Sequence, residues 1–319
     1  MNEHPVYHLA SGAYDAEIAS FSGGIKALSF RGEPLVETYP TGEFPPLSAG
    51  VVLAPWPNRT EDGRFSWRGK DYQLDINEPE RSNAIHGFAQ DAQWELLTRR
   101  PDAVTLGLDI TPRNGWPWPL RIAASYVLSA HGLRVRFRAT TSSPEPVPYA
   151  FGLHTYLSAR GADEAECTIA VPVTHHHPLD ARNLPTGEQE PAEVFLPGIT
   201  RGVQLRGRLL DDCFSINSGV DAAAAGVVLD SDRPDSPGAC AAVYTGASGR
   251  GVRMDMGPGL RWVQMFTPDE RLGCPYPGRG RALAVEPMSA PPNALRTGID
   301  LRTLSYDHPV TFELGLRAV

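Results

Sequence analysis

Hydrophobic and polar residues alternate with a period of two along much of the chain. In VTLGLDI (104–110), Val104, Leu106, Leu108 and Ile110 share one face. In LRVRFRA (133–139), Leu133, Val135, Phe137 and Ala139 point one way, and Arg134, Arg136 and Arg138 the other. This pattern predicts half-buried antiparallel strands, with the arginines on a solvated face. Further strands are predicted at 14–22, 25–30, 49–54, 64–67, 121–129, 147–157, 166–173, 213–217, 226–230, 240–244, 251–256, 261–267, 281–286 and 310–317. EDGRFSWRGKDYQL (61–74) reads as a hairpin turning at RGK (68–70). Long 3.6-residue periodicity is absent, and DAAAAG (221–226) makes at best a helical turn or loop. Many short strands punctuated by turn signals predict an all-β sandwich or barrel. No short repeat and no break in composition divides the chain, so residues 1–319 read as one domain.

Composition narrows the function classes. The 31 glycines and 30 prolines are scattered among 319 residues and serve as turn punctuation. A net charge of −8 without a basic run argues against nucleic acid as a partner and suits a small neutral ligand. Cys167, Cys213, Cys240 and Cys274 form neither a C-x-x-C pair nor a disulfide framework. The opening MNEHPVYHLA does not read as a signal peptide, and no apolar run is long enough to span a bilayer. A cytoplasmic protein with no membrane partner is expected.

Several polar groups interrupt the apolar pattern. Glu286 closes the run Ala282-Leu283-Ala284-Val285 and precedes Pro287. A carboxylate there either caps the strand in solvent or is buried, which is costly unless it is paired. His154 shares a strand face with Ala150, Gly152 and Tyr156, and Glu286 shares one with Ala282 and Ala284. Small neighbours leave room for a concave site. Trp262, Gln264 and Phe266 also share a face, and an amide between two aromatics suits a sugar ring. Each of these also fits plain core packing. His86 lies in NAIHGF (83–88), a region of turn signals. THHHP (174–178) reads as a solvated loop, because adjacent strand histidines alternate faces and no metal-ligand spacing recurs. No G-x-S-x-G, phosphate-binding loop or dinucleotide fingerprint is present.

Taken in order, APWPNRTEDGRFSWRGKDYQL (54–74), NAIHGF (83–88), FGLHTYL (151–157), LPTGE (184–188), LDDCF (210–214) and VEPMSAPPNAL (285–295) resemble the aldose 1-epimerase (galactose mutarotase) family. The resemblance covers nearly the whole chain. PWPNR, WVQMFTP and EPMSAPPNA look most like the bacterial branch that includes a mutarotase-like protein of sulfoquinovose catabolism. The resemblance implies a large antiparallel β-supersandwich and a sugar mutarotase without metal or cofactor. By motif position it makes Glu286 the general base, His154 the general acid and His86 the second active-site histidine. Arg59 and Asp211 take the positions of ligand contacts, with Asp212 a competing choice beside Asp211. The family's usual HPYF reads HTYL here, which leaves the sugar open.

The implied partner is a monosaccharide, and the protein is expected to be a monomer or homodimer. Rival readings are a sugar-phosphate or sulfo-sugar epimerase and a non-catalytic sugar-binding protein. The first would need an anion clamp, for which Arg134, Arg136, Arg138 and Arg279 are the candidates. A glycosidase is disfavoured, because it would normally place two carboxylates across the bond.

Overall fold

The computed structural model describes residues 4–216 and 240–319. The strand expected at 226–230 and the segment 221–226 lie outside the described residues. Among the described residues helix is confined to short turns such as Ala192–Phe195 and Ala294–Thr297.

Two large antiparallel sheets dominate. One runs in the order Glu95–Arg100, Ala103–Ile110, Leu120–Ser129, Gly132–Thr140, Val310–Ala318, Gly251–Met256, Cys240–Thr245, Thr168–Ala170, Val203–Gln204. The other runs Glu190–Pro191, His175–His177, Asp211–Ser215, Trp262–Phe266, Leu283–Met288, Gly152–Leu153, Val52–Leu53, with Thr155–Leu157 also pairing to Leu283–Met288. A four-stranded sheet, Val6–Ser11 to Glu33–Pro34, precedes them. This is the expected all-β supersandwich.

Strand alternation explains the layering. In Gly132–Thr140, Leu133, Val135, Phe137 and Ala139 are buried while the three arginines face solvent. Leu120–Ser129 pairs beside it and buries Leu120, Ile122, Ala124, Tyr126 and Leu128. Phe151, next to the second sheet, is fully buried and packs on Phe137 and Phe312 of the first, with ring centroids 4.4 and 5.4 Å away. The aromatic contact therefore fixes the second sheet, on which the candidate site is built, against the first. The predicted hairpin is present: Trp67 pairs with Lys70 across Arg68 and Gly69. Both turn residues have positive φ, as a two-residue type I′ turn requires.

Three expectations are corrected. Residues 147–157 do not form one strand but three short ones, Val147–Tyr149, Gly152–Leu153 and Thr155–Leu157. The backbone changes partners along the run: the Ala150 N–H donates to the Pro55 carbonyl and the His154 N–H to the Val51 carbonyl. The strand carrying Glu286 does not stop there but continues to Met288. The histidines of THHHP are a strand within the second sheet rather than a solvated loop. His176 is buried between Asp212 (2.9 Å) and Glu190 (3.0 Å), which satisfy both ring nitrogens and make burial tolerable.

Candidate active site

The register of the second sheet assembles the chemistry. Gly152 pairs with Met288 and Thr155 with Val285, so His154 stands directly across from Glu286. Gln264 pairs with Glu286 from the other side. Residues directly opposite one another share a face, and all three side chains meet there. His154 Nε2 lies 3.4 Å from Glu286 Oε1. Glu286 is 2% exposed and His154 6%, so Glu286 is no solvent cap. The ladder between these strands lapses at Leu153 and His154, opposite Pro287 and Glu286, where proline has no N–H to offer.

Loops bring two more groups to this floor. Asn58 and His86 both adopt left-handed backbone, with φ of 56° and 65°. The His86 N–H donates to the Asn58 carbonyl (2.9 Å), and the Asn58 N–H donates to His86 Nδ1 (3.2 Å). With Nδ1 accepting, a neutral His86 carries its proton on Nε2 and is a donor there. Gly87 follows at φ 70°, and a Cβ at this position would meet the Ala54 carbonyl oxygen at 2.2 Å. That oxygen accepts from the Phe88 and Ala89 N–H groups, which pins the loop.

Arg59 starts the short strand Arg59–Glu61, which pairs with Asn83–Ile85. Its guanidinium forks onto Glu78: Nε is 2.9 Å from Oε2 and the NH2 nitrogen 2.9 Å from Oε1. Asn83 and Arg81 also donate to Glu78. Asn293, from VEPMSAPPNAL, clamps the Arg59 strand: its N–H donates to the Arg59 carbonyl and its side-chain oxygen accepts from the Glu61 N–H. One sequence segment thus supplies Glu286 and anchors Arg59.

A cavity of about 460 Å³ opens over Arg59, His86, His154, Asp211, Gln264 and Glu286, with Phe266 in its wall. Glu286 Oε2 and Gln264 Oε1 are buried and have no hydrogen-bond partner in the protein. Buried polar atoms are almost always satisfied, so two unpartnered acceptors in adjacent register point to a ligand that donates to them.

The choice between the neighbouring acids follows from strand alternation. Asp211 faces the cavity, accepts from Gln264 Nε2 at 2.7 Å and accepts from Asn183 Nδ2. Asp212 points to the opposite face and binds His176. Asp211→Asn is therefore expected to lower kcat/KM by about 10- to 150-fold, the equivalent of a hydrogen bond to a charged group. Asp212→Asn should leave kcat/KM nearly unchanged while costing about 1–3 kcal/mol of stability in urea unfolding. The reverse pattern would exchange their roles.

Trp262 is not brought to this cavity. It lies two residues before Gln264 on the same face, about 6.6 Å along the strand, and lines a separate cavity. The expected grouping of Trp262 with Gln264 and Phe266 is corrected to Gln264 with Phe266, because a two-residue step carries the indole past the row occupied by Glu286. The anion clamp is also not assembled. Arg134, Arg136 and Arg138 sit on the outer face of the first sheet, and Arg279 is bonded to Glu37 and to the Gly161 and Ala162 carbonyls. Sequence reasoning missed Asn58, Glu78 and Asn183. Asn58 stands within the quoted PWPNR wording, but nothing local marks Glu78 or Asn183.

Burial dominates the electrostatics. It pushes the Glu286 carboxyl well above the ordinary carboxylate range, helped by Asp211 and opposed by Arg59. It pushes His154 down to about 3, with the Arg59 charge acting in the same direction. His86 is lowered too, by burial and then by His154 and Arg59. Asp211 is raised, mainly by burial. Burial also acts to raise Glu78, but its bonds to Arg59 and Asn83 more than offset this and hold it low. Both members of the His154–Glu286 pair thus favour their neutral forms, and the pair holds one proton between them. Among the described residues no cluster of three or more His, Cys, Asp or Glu is arranged to hold a metal ion, and no helix is long and apolar enough to cross a membrane.

Comparison with known proteins places the fold in a family. The aldose 1-epimerase family model matches residues 5–317. The uncharacterized protein YihR of Escherichia coli (strain K12) is 30% identical over 94% of this chain and 89% of its own length. Human galactose mutarotase is 28% identical over 84% of this chain and 79% of its own. A galactose mutarotase-like protein from Clostridium acetobutylicum superposes with a TM-score of 0.81 at 20% identity, covering 99% of this chain and 95% of that one. The fold, the residues gathered on its second sheet and a match over nearly the whole length lead to one conclusion: the chain belongs to the aldose 1-epimerase family.

Proposed function

We propose that the protein is a mutarotase that interconverts the α and β anomers of a free aldose, with Glu286 as base and His154 as acid. The observation that carries this reading is the buried His154–Glu286 pair, 3.4 Å apart, beside the unpartnered oxygens of Glu286 and Gln264. In the reacting tautomer the shared proton sits on His154, so Glu286, as carboxylate, removes the anomeric hydroxyl proton while His154 protonates the ring oxygen. The C1–O5 bond opens, the aldehyde rotates about C1–C2, and the ring closes on the other face. The reaction involves no redox change or hydrolysis, and a positioned acid and base are sufficient for it. Arg59 and the Nε2–H of His86 hold sugar oxygens and stabilise developing charge.

The cavity lining supports an uncharged aldose. Glu78, Glu80, Asp91, Asp211 and Glu286 line it, and the cation among them, Arg59, is already forked onto Glu78. A sulfonate or phosphate would enter an acidic surrounding. The deciding experiment is exchange NMR on a panel of galactose, glucose, sulfoquinovose and a hexose 6-phosphate, with and without protein in the same buffer. Neutral aldoses are expected to exchange fastest, and EDTA is expected to leave the rate unchanged. No acceleration of any aldose would overturn the reading. Activity lost to EDTA and restored by a divalent ion would overturn the cofactor-free mechanism.

The shared proton sets the pH dependence. Catalysis needs one proton on the pair. A second proton goes onto His154 and blocks the base; burial delays that step from the ordinary 6.5 to about 3. The last proton leaves only above the ordinary carboxylate range, because burial raises Glu286. Turnover is therefore expected to stay flat through the usual histidine range, with an acid limb near 3 and an alkaline limb displaced upward. A half-maximal acid limb at 6.5 would show a solvent-like histidine and contradict the buried pair.

A further inference from the structure

The second sheet carries another cavity on the face that bears Glu286. The strand pairings place His177 at the far end of the row of Cys213, Gln264 and Glu286, and Ser215 and Trp262 one step along on the same face. The second cavity has a volume of about 510 Å³, within the ~300–1,000 Å³ range of small-molecule sites. Its lining shares no residue with that of the cavity over Glu286. Trp262 packs with Cys213 and Met288 in one apolar cluster on this face.

The lining has the chemistry of a polyol site. Trp262, Pro291, Pro292 and Ile299 supply apolar surface. His177, Ser215, Arg261 and Asp300 supply polar groups. The polar groups are held in place. The Trp262 indole N–H donates to Asp300 Oδ2 at 2.7 Å, and His177 Nε2 lies 2.8 Å from Ser215 Oγ. The His177 ring leans on the Trp262 indole, with centroids 4.8 Å apart. Glu188 and Asp300 balance Arg261, so no net positive field favours an anion. A hydrolytic role for Ser215 and His177 lacks its third member, since among the described residues no carboxylate is bonded to His177. An apolar wall with a few fixed hydroxyl, imidazole and carboxylate groups matches a pyranose, which has C–H patches and hydroxyls in alternation.

We propose that the cavity beside Trp262 is a second saccharide site, which binds a neutral sugar ring and is distinct from the cavity over Glu286. Residues 285–300 build both: Glu286 faces one cavity, while Pro291, Pro292, Ile299 and Asp300 face the other. The second site lacks an acid–base pair like His154–Glu286 and is a binding site only.

The test follows the six tryptophan indole N–H signals by ¹H–¹⁵N NMR, with the Trp262 signal assigned by its loss in Trp262→Phe. The probes are methyl β-glucoside, methyl β-galactoside, maltose and lactose. The methyl glycosides lack a free anomeric hydroxyl and cannot be turned over. At least one probe is expected to shift the Trp262 signal saturably. Asp300→Asn and His177→Ala should weaken that binding about 10-fold or more, while anomer exchange of the best aldose stays at the wild-type rate. Arg59→Met should leave the Trp262 titration intact. The proposal is overturned if no probe moves the Trp262 signal saturably. It is equally overturned if the movement persists in Asp300→Asn and His177→Ala but vanishes in Arg59→Met, since the signal would then report the other cavity. Anomer exchange, scored separately, tests the mutarotase reading, so either can fail alone.

Discussion

Glu286→Gln is expected to lower turnover of the best aldose by about 10²–10⁴-fold, equivalent to about 2.7–5.5 kcal/mol of barrier. Glutamine keeps the size of the side chain and an acceptor oxygen but cannot take the anomeric proton. Burial already favours an uncharged group at this position, so the amide replaces a neutral carboxyl and the fold should tolerate it. Sugar binding should persist in large part, because Arg59, His86, Asp211 and Gln264 remain. His154→Asn should cost a similar factor, since the ring oxygen then opens without its proton donor. The double variant should lose less than the product of the two, because both groups act on one transition state. Free sugars mutarotate spontaneously and buffers catalyse the exchange, so each rate is compared with the same buffer lacking protein. Near-wild-type turnover in Glu286→Gln would remove Glu286 from the reaction.

Glu78→Ala should have the second-largest effect. Glu78 is buried and accepts from three side chains, Arg59, Arg81 and Asn83. Removing it leaves the buried Arg59 guanidinium without its counter-charge, and breaking such a pair costs about 3–5 kcal/mol. Urea unfolding should show a lower midpoint at an unchanged slope. Activity should fall as well, because the released Arg59 no longer holds its place over the cavity. Adding Arg59→Met to Glu78→Ala removes the orphaned charge. Stability should then recover in part while activity does not, which separates the packing role from the ligand role. The sign of the pH effect follows from the lowered Glu78 carboxyl. Its contribution to stability is fully present above the ordinary 4.5 and is lost as pH falls through the lower folded value. A midpoint equal to wild type in Glu78→Ala would show that the Arg59 fork does not stabilise the fold.

Strands with one buried face were legible in the sequence because burial forces alternation. Gly132–Thr140 alternates apolar and arginine residues and is found as read. Glu95–Arg100 was not foreseen: it lies at the sheet edge with every residue exposed, so no face had to be apolar. The broken run 147–157 was misread as one strand because its residues are buried throughout, and a continuous apolar segment does not reveal where its backbone changes partners. His154 and Glu286 could be singled out because a lone polar group among small apolar neighbours violates the core pattern. Glu78 left no such signal, because a glutamate in a loop looks like any solvated charge until Arg59 folds against it.

What the sequence determined by itself is therefore the period-two pattern, the all-β class and the residue types able to act as acid, base and sugar contact. Those depend on neighbours within a few residues. Tertiary structure decided which strands lie side by side. Register set His154 opposite Glu286 and Glu286 opposite Gln264, although 110 residues separate His154 from Gln264 in the chain. It turned Asp211 rather than Asp212 to the cavity over Glu286, carried Trp262 into a second cavity and paired Arg59 with Glu78. Burial, which shifts Glu286 and His154 in opposite directions, is likewise a property of the assembled sheets, because desolvation depends on every segment packed around a group and not on its own neighbours in the chain.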